Sequence, residues 1–130
     1  MLKENLKKIL INIAIVLLIF LTDRISKIYI LKVAELENTV DIYINSYLNF
    51  YLIWNKGIAF GLLSYNENYI YNMVTLAITI IVIAILIMLI KAEGFRKYSL
   101  ILVLGGALGN LFDRIYYSAV PDFIDFHINN

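Results

Sequence analysis

Apolar residues along this chain come in long unbroken stretches, and the polar residues collect in short clusters between them. Residues 9–22 carry no charge, with Lys8 before them and Asp23 after. This run is short for a bilayer crossing, which takes about 20 residues, so flanking residues must complete the span. Residues 25–31, apolar apart from Ser26 and Lys27, continue the helix outward. Lys3, Lys7 and Lys8 ahead of an apolar run would also suit a cleaved signal peptide. Phe20-Leu21-Thr22-Asp23 offers no small-x-small cleavage site, however, so an uncleaved helix is expected. The second stretch, residues 68–90, has no charge and is almost wholly aliphatic from Met73 onward. At about 1.5 Å per residue it crosses a bilayer with some tilt. The third begins near Tyr98 and stays uncharged through Phe112 before meeting Asp113 and Arg114. Its centre, Gly105-Gly106-Ala107-Leu108-Gly109, is built of small residues that let neighbouring helices approach closely.

Between the first two helices the pattern changes. Residues 40–45 alternate Val, Asp, Ile, Tyr, Ile, Asn, and residues 47–54 are rich in aromatic and branched side chains. Both read as strands, so a small sheet on the membrane surface is expected. The basic residues orient the chain. Lys3, Lys7 and Lys8 precede the first helix, and Lys91, Arg96 and Lys97 occupy the turn at 91–97. The positive-inside rule puts both in the cytoplasm and residues 23–67 outside, with Asn38, Asn66 and Asn130 on the outer side. Tyrosines at 65, 69, 71, 98, 116 and 117 lie where the interfaces should fall.

Composition agrees. Of 130 residues 62% are hydrophobic and 16% charged, with a mean hydropathy of +0.80. A soluble domain carries about a quarter charged residues. The lipid bilayer is therefore the chain's first partner. A net charge of +1 gives no basic field for nucleic acid. With no cysteine and one histidine, His127, neither disulfides nor an ordinary zinc site is expected.

Four polar clusters could carry chemistry. Asn110, Asp113 and Arg114 lie one turn apart on the third helix and can face the same way. They form either a functional site or a neutralised Asp113–Arg114 pair that ends the helix. Asp122 and Asp125 sit among large apolar residues in Val120-Pro121-Asp122-Phe123-Ile124-Asp125-Phe126. Desolvation and a second carboxylate raise a carboxyl pKa, and a pair sharing one proton can activate water and protonate a leaving amine. An interfacial turn with solvated acids has the same spacing. Asp23 and Lys27, at i,i+4, suit an ion pair at the membrane edge. Asn55-Lys56-Gly57 suits a turn.

Together, in the order DRISK, LNFYLIWNKGIAFG, GGALGNLFDR and VPDFIDF, these clusters resemble the lipoprotein signal peptidases (signal peptidase II, peptidase family A8) over residues 23–126. The resemblance implies a mainly α, polytopic fold of four membrane helices, three of them present here, with a small β-structured segment outside the membrane between the first two. It implies an aspartic endopeptidase without cofactor or metal, acting as a monomer in the bacterial cytoplasmic (inner) membrane, with its active site near the outer face. The substrate implied is a diacylglyceryl-modified prolipoprotein, cut just before the modified cysteine. Asp122 matches the first catalytic aspartate. Asn110 and Arg114 match positions that place the substrate backbone and steady the site, and Asp113 lies between them. Asn55 and Gly57 match the box beside the cleavage site, and Asp23 and Lys27 match a supporting box.

The second catalytic aspartate of the family belongs to an Asn-x-Ala-Asp box at the start of a fourth helix. Residues 1–130 contain no such box. Asp113 and Asp125 do not match its position. Ile58 and Pro121 are smaller departures from the family pattern. The expectation is one membrane-embedded peptidase domain over residues 1–130, incomplete at its C-terminus. The alternatives are an inactive truncated remnant or a non-enzymatic membrane subunit. A small transporter using Asp113, Arg114 and Asp122 is a further alternative, but the inverted repeat common in such proteins is not visible.

Overall fold

A computed structural model describes residues 2–56 and 68–128. Its elements run α1 (Leu2–Glu37), β1 (Asp41–Asn45), β2 (Leu48–Asn55), α2 (Asn68–Ile90), α3 (Gly94–Tyr117) and β3 (Val120–Phe126). All three helices are long and apolar enough to cross a membrane. Their outward faces carry Ile9, Leu10, Leu17, Leu18, Leu76, Ile80, Ile87 and Leu102, all exposed in the isolated chain. So continuous an apolar surface is stable against lipid and not against water. The protein is a polytopic membrane protein.

The first helix is much longer than its uncharged run. At about 1.5 Å per residue its 36 residues span about 54 Å, well beyond a hydrocarbon core of about 30 Å. It continues past Leu31 to Glu37 and stops at Asn38, whose φ of 61° is the left-handed conformation that asparagine tolerates at a helix end. The third helix begins at Gly94, four residues before the expected start. Gly94, with φ 55°, makes the left-handed step out of the tight Lys91–Glu93 turn, where Lys91 N–H and Ala92 N–H donate to the Met88 and Leu89 carbonyls. At the other end Ser118 closes α3 with a left-handed cap, its N–H donating to the Arg114 carbonyl at 3.1 Å.

Packing is arranged around α3, which touches both α1 and α2. Val82, Ile85 and Leu104 form a buried cluster with Val16, Ile78 and Leu108 packed against it. Two of the small residues in the third helix make the α1 contact possible. A Cβ at Gly105 would lie 2.6 Å from Ile19 Cγ2, and one at Gly109 would lie 2.5 Å from Asp23 Oδ2. A side chain at either position would force the helices apart or displace Ile19 or Asp23.

The sheet is antiparallel in the order β1-β2-β3. Asn45 Oδ1 accepts the Tyr47 N–H at 2.8 Å and shapes the hairpin turn. The two strands expected between the first helices are thus present. The VPDFIDF segment, for which an interfacial turn was one reading, is instead the third strand. Pro121 is tolerated because β3 is an edge strand. Ile30, Val40, Ala119, Val120 and Pro121 are buried where sheet and helices meet, so the start of β3 is fixed to the end of the bundle.

Candidate active site

Four charges meet between α1 and α3. Asp113 is 0% exposed, Lys27 6% and Arg24 7%. Arg24 Nη1 lies 2.5 Å from Asp113 Oδ1, and Lys27 Nζ 2.6 Å from Asp113 Oδ2. Asp23 takes the other side of both cations, 2.6 Å from Arg24 Nη2 and 2.9 Å from Lys27 Nζ. Two carboxylates and two cations balance, which is the condition for burying them at all. The i,i+4 pair of Asp23 and Lys27 is therefore present, but as half of a larger network. Asp113 draws two cations from across the helix interface, so it is more than half of a simple pair with its sequence neighbour Arg114, which was one of the two readings. The reason is geometric: adjacent residues on a helix point about 100° apart, whereas Arg24 and Lys27 face Asp113 directly.

The same network reaches Asn110. Lys27 Nζ donates to Asn110 Oδ1 at 3.2 Å. Bonding through the oxygen leaves the amide N–H donors of Asn110, an exposed residue, directed away from the cluster.

A second group forms where the sheet meets the bundle. Asn55 Nδ2 donates to Asp122 Oδ2 at 3.0 Å. The two residues sit on paired strands, with Asn55 opposite Val120 and Ile53 opposite Asp122. Arg114, 5% exposed, lies within the electrostatic reach of Asp122 and Asp113. Its carbonyl accepts a hydrogen bond from the Tyr71 hydroxyl on α2.

Of the two readings of Asp122 and Asp125, a proton-sharing pair and a set of solvated acids, the pair does not form. Both are exposed, and they lie three positions apart on β3. The irregularity in the β2–β3 register places its extra residue on β2, since Phe50 pairs with Ile124 and Ile53 with Asp122. Along β3 the side chains alternate, so residues 122 and 125 point to opposite faces. Asp125 instead lies 3.2 Å from His127 Nδ1.

Of the residues singled out in the sequence, Asp23, Lys27, Asn110 and Asp113 are brought together in one network, and Asn55 joins Asp122 in another. Gly57 lies outside the described residues, as do Ile58, Asn66 and Asn130. Sequence reasoning missed Arg24 and the hydroxyl of Tyr71. Arg24 was legible as an arginine following an apolar helix run, which demands a partner. Tyr71 reads equally well as an interfacial anchor.

Fold and polar network define a multi-pass membrane protein with ionisable residues concentrated at the sheet end of its helix bundle. The chain belongs to the signal peptidase (SPase) II family, Peptidase_A8, whose profile matches residues 15–130; it is a peptidase. It is 54% identical over 125 residues to the lipoprotein signal peptidase of Pelagibacter ubique (strain HTCC1062), covering 96% of this chain and 75% of that protein. It is 40% identical over 127 residues to that of Anaplasma phagocytophilum (strain HZ), covering 96% and 79%. A bacterial membrane enzyme solved by the in meso method at 2.3 Å resolution superposes with a TM-score of 0.66 at 28% identity, over 90% of this chain and 70% of that one.

Proposed function

We propose that this peptidase removes signal peptides from diacylglyceryl-modified prolipoproteins, with Asp122 as one of two catalytic carboxylates. The reading rests above all on the Asn55–Asp122 hydrogen bond. It holds a carboxylate in a fixed orientation on an edge strand, at the end of the bundle and beside a buried arginine. Ionised, Asp122 accepts a proton from the attacking water. The partner carboxylate, which the family resemblance places in an Asn-x-Ala-Asp box, is protonated and polarises the scissile carbonyl. The water oxygen adds to that carbonyl, and the proton taken by Asp122 passes to the leaving amine as the C–N bond breaks.

The supporting residues have distinct tasks. Asn110 offers its amide N–H groups to the substrate backbone. Arg114 supplies positive charge beneath the reacting carbonyl. Asp23, Lys27 and Asp113 fasten α1 to α3 and so keep Asn110 and Arg114 in place. We assign the protein to the bacterial inner membrane as a monomer, with residues 1–130 in one peptidase domain. Its N-terminus is cytoplasmic and the sheet lies at the outer face.

The test is cleavage by the purified enzyme carrying the family's second aspartate box. A diacylglyceryl-modified prolipoprotein should be cut just before its lipidated cysteine, and the unmodified precursor should not. Equal cleavage of both would contradict the substrate assignment, and cleavage of neither would contradict the activity.

A further inference from the structure

Arg24 lies at the centre of the buried network, and nothing above gives it a part in the reaction. We infer that Arg24 is a positioning residue. It fixes the rotation of α3 about its own axis, and through that the placement of Asn110 and Arg114 against Asp122. This rests on the peptidase reading of the site.

Arg24 grips three consecutive points on one face of α3. Nη1 meets Asp113 Oδ1 at 2.5 Å, Nη2 donates to the Gly109 carbonyl at 3.4 Å, and the guanidinium lies over the Phe112 ring with Cζ 4.8 Å from its centroid. Positions 109, 112 and 113 are i, i+3 and i+4, a single stripe of the helix. Asn110 and Arg114 each follow a member of that stripe by one residue, about 100° further round. A helix held along the stripe cannot turn without losing all three contacts, so Arg24 sets where Asn110 and Arg114 point.

The task requires a guanidinium. Nε and Nη2 donate to Asp23 Oδ2 at 3.2 and 2.6 Å while Nη1 forms an ion pair with Asp113 Oδ1, so one planar guanidinium joins carboxylates on two helices. A lysine ammonium has no such span and no flat face to lay on Phe112. Lys27 already divides its charge between Asp23 and Asp113 and also holds Asn110. Without Arg24, both carboxylates fall to Lys27 alone, and Asn110 shifts with it.

The chain carries its own reporter. Trp54 is the only tryptophan in the sequence. Its ring lies 5.6 Å from that of Tyr117 in the last turn of α3, and it pairs across the sheet with Pro121, beside Asp122. Rotation of α3 breaks the Trp54–Tyr117 contact.

The experiment compares the full-length enzyme with Arg24→Lys and with the double variant Arg24→Gln/Asp113→Asn. The double variant removes one charge of each sign and leaves Asp23 with Lys27. Cleavage of diacylglyceryl-modified prolipoprotein is followed as kcat and KM, beside acrylamide quenching of Trp54 with any tryptophan outside residues 1–130 replaced by phenylalanine in every variant. A misplacement of about 1 Å costs about 100-fold in rate. Arg24→Lys should therefore lose kcat on that scale with KM little changed, and its Trp54 should be quenched more readily. The charge-balanced double variant should fold and still not recover kcat. Parental kcat in either folded variant, or Trp54 quenching unchanged in both, overturns the inference. An Asp122→Asn control separates the two failures. Activity kept there sinks the assignment of Asp122 as a catalytic carboxylate, whereas activity lost there but kept in the Arg24 variants sinks only the role of Arg24.

Discussion

Adding one methyl group at Gly109 should disable the α1–α3 interface, although Gly109 belongs to no reacting group. The Cβ of Gly109→Ala would lie 2.5 Å from Asp23 Oδ2 and 2.9 Å from its Cγ. Ordinary contact begins at 3.4 Å, so the helices must part by about 1 Å or Asp23 must swing away. Parting the helices is overpacking, which costs about 1–3 kcal/mol. Swinging Asp23 away removes a partner from Arg24 and from Lys27, held at 2.6 and 2.9 Å. An uncompensated buried charge costs about 3–5 kcal/mol. The cheaper route sets the loss, so about 1–3 kcal/mol is expected, with a fall in activity because Asn110 and Arg114 move with α3. Gly106→Ala is the matched control. Its Cβ would meet nothing within 4 Å, and replacing a helical glycine by alanine is worth up to about 1 kcal/mol in the favourable direction. Thermal unfolding in detergent, followed by circular dichroism, gives the comparison. Gly109→Ala should melt below the parent and Gly106→Ala at or above it. Equal melting of the two variants would refute the close-approach reasoning.

Two further outcomes are expected. The chain has no cysteine of its own, so single cysteines report topology cleanly: an impermeant thiol reagent applied from outside should label Asn38→Cys and not Lys97→Cys, and labelling of the latter would reverse the assigned orientation. Arg114→Lys keeps the charge near Asp122 but loses the planar fork, so prolipoprotein cleavage should fall by at least tenfold; full activity would reduce Arg114 to a structural charge.

How much of this was legible in the sequence follows from the range of the interactions. The second helix could be read directly, because its 23 uncharged residues satisfy their own backbone and need only lipid outside. β1 and β2 were visible through alternation and aromatic content, which are local. The full length of α1 was not. Asp23, Arg24 and Lys27 look like the end of a membrane helix until their partners on α3, more than eighty residues later, are known. Asp113 stayed ambiguous for the same reason, since its sequence neighbour Arg114 is visible as a partner while two cations on another helix are not. β3 was hidden because a strand with a proline and two acids is defined by its pairing with β2, which local propensity does not reveal. Two of the boxes nevertheless meet in space: Asn55 and Asp122, separated by 67 positions, are hydrogen-bonded.

The central claim is that Asp122, and not the neighbouring Asp125, performs the chemistry. It is tested most directly by assaying Asp122→Asn and Asp125→Asn side by side. The assay uses purified enzyme extended through an Asn-x-Ala-Asp box and a diacylglyceryl-modified prolipoprotein. Asparagine preserves size but neither accepts a proton from water nor returns one to the leaving amine. Asp122→Asn should abolish cleavage, while Asp125→Asn, on the opposite face of β3, should retain most of it. Cleavage surviving in Asp122→Asn and lost in Asp125→Asn would contradict the account.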